Sequence, residues 1–392
     1  MRLIRGVDVD QRVAVSPTGY RPEPGLVGTI RAFVFGIKTL TWLACLLISI
    51  VSLAFPGITS LASVQWTPWI VGIFIFGLSH GGLDDEVSSM AGRTGGRTGS
   101  SWRFYVWYLG LLALVVIEWM VSPDLGLTTF LIFSVFHFGQ GDLYWTVYHG
   151  AAGRDAVQGG SFGYWRRFCF VLVRGMLPVL LPFIFRIDQF TIIGQHLATA
   201  SGQNSLYLPQ WCSGHRQTLL LLIAIIVVAH LLIELLYILK SISEGRREIA
   251  LHRAVMIEAG ETLLLVLLFL STPPILGIGA YFLLWHAPRH VTRLILADVQ
   301  MRSIVESCGG LRALLHFHQR SLPLALAATG LLLLLAVIQF RSDLPLDRLI
   351  LPAFIFVNAI TVPHLVVVSL LDLAQSTWRP VATSNSTNQA SR

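Results

Sequence analysis

Two histidines four residues apart, His286 and His290, stand near the end of an apolar stretch. That spacing places both imidazoles on one helix face. Neutral imidazole is a good ligand for iron, zinc or copper. His80, His137, His230 and His364 fall in four further apolar stretches. Ionisable groups inside lipid-spanning helices are costly and normally turn toward a bundle interior. Ligation, buried polar packing and proton transfer are all open to each histidine alone. The matched depth of His80, His137 and the pair favours a four-histidine metal site between packed helices. His364 follows Pro363, where ligand, donor to a ligand and pocket residue are the three readings.

Several acids are placed to serve those imidazoles. Asp84 comes one helical turn after His80, and Asp142 five residues after His137. Carboxylates behind a metal centre orient imidazole tautomers and raise ligand basicity. Glu258 and Glu261 share one apolar stretch, with ligation, helix pairing and histidine orientation all open. His230 and Glu234 form another i,i+4 pair, read as structural bonding or as part of a site or proton path. His316 and His318 lie in an arginine-bearing connection and read as a solvated face. Arg289, between the paired histidines, is expected to meet a buried acid or to snorkel to the interface.

The elements that must position these groups are membrane helices. Of the 392 residues 54% are hydrophobic and only 12% charged, and the mean hydropathy is +0.68. Soluble domains carry about 25% charged residues, so lipid is the solvent implied. Apolar stretches reach the roughly 20 residues that cross a bilayer. The net charge of +7 is spread between them, without the basic run and aromatic platform of a nucleic-acid binder. Cys45, Cys169, Cys212 and Cys308 are scattered, which argues against both a disulfide scaffold and a thiolate metal site.

Spans are expected near 32–56, 66–84, 104–120, 125–147, 167–186, 218–239, 253–270, 273–293, 323–341 and 349–371. Pro178 and Pro182 predict a kink in the fifth. Connections bearing Arg93, Arg97, Arg154, Arg166, Lys240, Arg246 and Arg247 alternate with nearly neutral ones. Under the positive-inside rule this predicts an all-α, polytopic bundle of about ten spans, N-in and C-in. Residues 1–31 read as a polar segment without a cleavable signal, 32–371 as the membrane domain and 372–392 as a flexible tail. All the histidine-bearing spans then run from outside to inside.

Four blocks resemble the Brp/Blh family, the bacteriorhodopsin-related beta-carotene 15,15'-dioxygenases. They are Gly77-Leu78-Ser79-His80-Gly81-Gly82-Leu83-Asp84, His137-Phe138-Gly139-Gln140-Gly141-Asp142, the run from Pro273-Pro274 through Tyr281-Phe282 to His286-Ala287-Pro288-Arg289-His290, and Pro363-His364. The third is the most specific. The chain departs from the pattern at Asp85, often histidine in the family, and at Ala287, usually serine. Residues 1–65 and the tail lie outside the blocks.

The resemblance implies a multi-pass cell-membrane enzyme with Fe(2+) held by His80, His137, His286 and His290. His364, Asp84, Asp142, Glu258 and Glu261 would be its pocket and supporting residues. It implies beta-carotene and O2 as substrates, retinal as product and a functional link to a retinal-binding rhodopsin. Phe136, Phe138, Trp145, Tyr281, Phe282 and Trp285 would either pack the core or line a slot for the polyene. A lipid desaturase or hydroxylase, which uses a larger and closer-spaced histidine set, is the alternative enzyme class. A metal or proton transporter is the alternative functional class, with His230, Glu234, Glu258 and Glu261 along its path.

Overall fold

The computed structural model describes residues 24–77, 81–91, 102–149, 160–200, 205–243, 249–341, 350–375 and 377–378. Most of the expected segment 1–31 and of the tail 372–392 lies outside the described residues, as does His80. Every regular element described is helical. The chain runs α1 (Pro24–Ala54), α2 (Ala62–Gly72), a π-helical turn (Ile73–Gly77), α3 (Asp84–Ala91) and α4 (Trp102–Val121). It continues with α5 (Pro123–His149), α6 (Gly160–Phe185), α7 (Ile187–Ala200), α8 (Tyr207–Gly214) and α9 (Arg216–Ser243). Then come α10 (Ile249–Ser271), α11 (Pro274–Ala280), a second π-helical segment (Tyr281–His286) and α12 (Ala287–Ala297). The last are α13 (Val299–Cys308), α14 (Gly310–Arg341) and α15 (Ile350–Ala374).

Among the described residues six helices are long and apolar enough to cross a membrane, within α1, α4, α6, α9, α10 and α15. They coincide with six of the ten expected spans. The expected span 66–84 is instead the shorter apolar helix Ala62–Gly77, followed by α3. The expected span 273–293 is one continuous run of helix, over residues 274–297, with a π-helical segment in its middle. Helix α5 is long, but the polar residues His137, Gln140 and Asp142 lie buried along it. The connection expected before residue 323 is itself helical, because α14 runs unbroken from Gly310. Likewise α6 passes through Pro178 and Pro182 without a break. The long connection 187–217 holds α7 and α8.

Local chemistry explains several boundaries. Pro123 opens α5, where its missing N–H has no helical partner to lose. Ser122 Oγ accepts from Leu125 N at 3.3 Å. Asp124 then accepts from the backbone N–H groups of Tyr207 and Leu208, each at 2.9 Å, and so fastens the start of α8 to the start of α5. Asp298 caps α13 through Met301 N at 2.8 Å. Gly309, at φ 88°, turns the chain from α13 into α14.

Helix α9 turns polar residues inward and much of its apolar surface outward. On α9 the polar His230 and Glu234 are buried, while Leu221, Ile225, Val228, Leu232 and Leu236 are exposed. That distribution suits a hydrocarbon surround. Helices α5 and α6 approach most closely. A Cβ on Gly139 would strike the Val171 carbonyl oxygen, and one on Gly175 the Val135 carbonyl oxygen. The two contacts are reciprocal across an antiparallel pair, so small residues bring backbone directly against backbone.

Candidate metal centre

Three distant parts of the chain converge in the interior. Helix α5 supplies His137, the π segment and α12 supply His286 and His290, and α15 supplies His364. The ring centre of His137 lies 4.9 Å from His286, 6.2 Å from His290 and 5.2 Å from His364. His290 is 5.2 Å from His364, and His286 and His290 stack with an interplanar angle of 10° at 5.9 Å. None of the four is more than 4% exposed. Gly141 leaves room beside them, since a Cβ there would reach 3.5 Å from His286 Cε1.

A carboxylate stands behind one of these rings. Asp84 Oδ1 is 2.8 Å from His364 Nδ1, and Asp84 Oδ2 accepts from Tyr108 Oη at 3.0 Å. Sequence spacing sets Asp84 one turn from His80, which lies outside the described residues; among the described residues Asp84 pairs with His364. Asp85, one of the departures, turns away and accepts from Tyr105 Oη at 3.1 Å. Ala287 is fully buried where the π segment passes into α12.

The other expected acids serve arginines. Asp142 accepts from Trp285 Nε1 at 3.0 and 3.1 Å and from Arg289 Nη1 at 3.2 Å, and Arg174 Nε lies 3.1 Å from its second oxygen. Glu261 accepts from Arg289 Nη2 at 2.9 Å, from Trp42 Nε1 at 2.9 Å and from Arg174 Nη2. Lys38 Nζ is 3.5 Å from the same carboxylate. Arg289 therefore meets buried acids and does not snorkel. Glu258 accepts from Arg166 at 3.2 Å, and Arg166 also holds both oxygens of Glu234. Glu234 is thereby bonded to Arg166, while His230 packs against Phe170 at 6.0 Å. A small cavity beside this second group is lined by Thr146, Arg166, Arg167, Glu234 and Glu258.

The aromatic residues divide. Phe138, Phe282 and Tyr281 pack on His286, at 4.7, 6.2 and 6.3 Å between ring centres. Trp285 and Trp145 instead lie under the Arg289 guanidinium, at 3.9 and 5.3 Å. Phe136 stacks on Trp378. His316 and His318 are half-buried in α14, and His318 lies 5.7 Å from Phe76. They lie on a continuous helix and not in the loop connection expected for them. Sequence reasoning overlooked Arg174, Lys38, Trp42 and Tyr108. An arginine in the middle of the apolar span 167–186 was the available signal for the first, because such a charge must find a buried partner.

The donor set suits an imidazole-bound transition metal. It is nitrogen-rich and free of grouped thiolates, and the carboxylate on His364 is a common companion of metal-binding histidine. Among the described residues no three His, Cys, Asp or Glu side chains are already arranged as a metal-holding group.

An all-helical chain with several membrane-length helices around buried histidines defines the class as a multi-pass membrane enzyme candidate. The beta-carotene 15,15'-dioxygenase family model matches residues 71–372, and the chain belongs to that family of enzymes. It is similar to a probable beta-carotene 15,15'-dioxygenase, Blh, of Halobacterium salinarum, at 27% identity over 86% of this chain and 92% of the relative. It is also 27% identical to a probable beta-carotene 15,15'-dioxygenase, Brp, of the same organism, over 80% of this chain and 86% of that protein. No solved structure matches the chain.

Proposed function

We propose that this chain cleaves beta-carotene at its central 15,15' double bond, placing one atom of O2 on each carbon to yield two molecules of retinal. The observation that carries the reading is the gathering of His137, His286, His290 and His364 in one buried cluster within a chain of this family. In this reading His80, His137, His286 and His290 hold Fe(2+), and His364 supports them. Ferrous iron supplies the redox chemistry that lets O2 react with a closed-shell polyene.

The protein's own groups do the rest. Asp84 fixes the tautomer and direction of the His364 ring through Nδ1. Phe138, Tyr281 and Phe282 give His286 an apolar surround. Apolar walls of that kind hold a hydrocarbon substrate and keep water from reactive species. In this reading the chain lies in the cell membrane with about ten spans, N-in and C-in, supported by the distribution of arginines between the apolar stretches, and lateral entry from lipid suits a substrate with no polar handle. Retinal would then be available to a retinal-binding rhodopsin. The acids that a transport path would use, Glu234, Glu258 and Glu261, are bonded to arginines, which favours fixed structure over alternating access.

The test is purified, Fe(2+)-loaded protein in detergent, supplied with beta-carotene and O2. Retinal should appear at two per carotene consumed. Iron retention without cleavage of any member of a carotenoid panel would reject the substrate class.

A further inference from the structure

Arg174 closes a ring of charges that grips the helix carrying His286 and His290. Asp142 and Glu261 are each gripped by both Arg174 and Arg289. The ring joins α5, α6, α10 and α12, and all four side chains are at most 3% exposed. Two guanidinium charges balance two carboxylates, and Lys38 approaches Glu261 from α1. Trp285 sits inside the frame. Its N–H is directed at Asp142, and its ring lies 3.9 Å from the Arg289 guanidinium and 5.5 Å from that of Arg174.

Trp285 and Arg289 are four residues apart and share one face. His286 and His290 are also four apart, one residue further on. Successive residues are about 100° apart around an α-helix, so fixing the first face fixes the direction of the second. Residues 281–286 form a π-helical segment, so the direction of this face is not set by a regular α-helical repeat running on from α11. Such segments interrupt the regular i→i−4 ladder.

We propose that Arg174 is a positioning residue that sets the rotation of the His286–His290 face through Asp142, Glu261 and Trp285. The inference rests on reading the histidine cluster as the metal centre, although the rotation itself can be measured without metal. Without Arg174, one guanidinium and a more distant lysine face two buried carboxylates, and Trp285 loses a cation from its ring. Lysine would restore the charge but not the planar fork that bridges both acids.

The experiment compares wild type, Arg174→Gln and Arg174→Lys in detergent. Metal-free protein carrying 15N-labelled histidine is examined by NMR, with the His286 and His290 resonances identified by their loss in His286→Ala and His290→Ala. Titration with Co(II), followed by its visible spectrum, gives affinity. Folded Arg174→Gln should shift both resonances and bind Co(II) at least about tenfold more weakly, the range seen when groups behind metal ligands are removed. Arg174→Lys should show smaller changes of the same kind. A residue that only stabilises the fold would lower the melting temperature and leave the resonances in place. Unmoved His286 and His290 resonances in a folded Arg174→Gln protein would overturn the proposal. If that variant does not fold, unmoved resonances in Arg174→Lys do the same. Failure of wild type to bind Co(II) counts against the metal reading, whereas the NMR comparison still decides the positioning role.

Discussion

Asp84 Oδ1 lies 2.8 Å from His364 Nδ1, joining the first turn of α3 to the interior of α15 across 280 positions of sequence. Replacing the carboxylate with an amide of equal size, Asp84→Asn, removes the charge that stiffens and enriches the imidazole. Because His364 supports the four proposed ligands and is not one of them, metal affinity should fall by no more than about 10-fold, with the helix content unchanged. Metal titration of the purified variant checks this. Tyr108→Phe deletes only the second contact to Asp84 and should have a smaller effect.

His286→Ala and His290→Ala should lower iron occupancy and retinal formation together. His316→Ala and His318→Ala, on α14 away from the cluster, should leave both near the wild-type level. Elemental analysis paired with product quantification separates the two groups. Full iron content in both cluster variants would remove them from the ligand set.

Arg166 bonds both Glu234 and Glu258 in the second buried ionic group. Its removal strands two carboxylates in a protein interior. Breaking a buried pair in this way costs about 3–5 kcal/mol. Arg166→Met should therefore lower the thermal midpoint in detergent. Adding Glu234→Gln and Glu258→Gln should recover much of the loss, because the stranded charges disappear with their partner. A single variant as stable as wild type would show that water already compensates those acids.

Glycine substitution offers a contrast. Gly175→Ala drives a Cβ into the Val135 carbonyl oxygen, where the obstacle is backbone and cannot rotate away. Overpacking of this kind costs about 1–3 kcal/mol or more. Gly110→Ala, on α4, meets nothing within 4 Å and should be neutral or slightly stabilising. Melting curves of the two variants in the same detergent give the comparison.

Local spacing made part of this molecule legible in its sequence. The i,i+4 relation of His286 and His290, and the apolar lengths around α1, α4, α6, α9, α10 and α15, are properties of short windows, and they survive folding. Partner choice is not local. Asp142 stands five residues from His137, but in space its neighbours are Arg174 and Arg289. Asp84, a turn from His80 in sequence, pairs with a ring from α15. The π-helical segment inside the expected span 273–293 was also hidden, because it has the same apolar composition as the helix on either side.

The glycine contacts between α5 and α6 bear on traffic through the wall of the bundle. Under the proposed activity, a stiff polyene arriving from lipid would need two neighbouring helices to part, and at this seam the obstacle includes backbone as well as side chains that could swing aside. Opening it would separate backbone from backbone along the reciprocal Gly139 and Gly175 contacts at once. Under the proposed activity, a doorway from lipid would therefore belong to another seam. The helix that carries His137 is pinned to α6 there, and would serve as a jamb and not as a door.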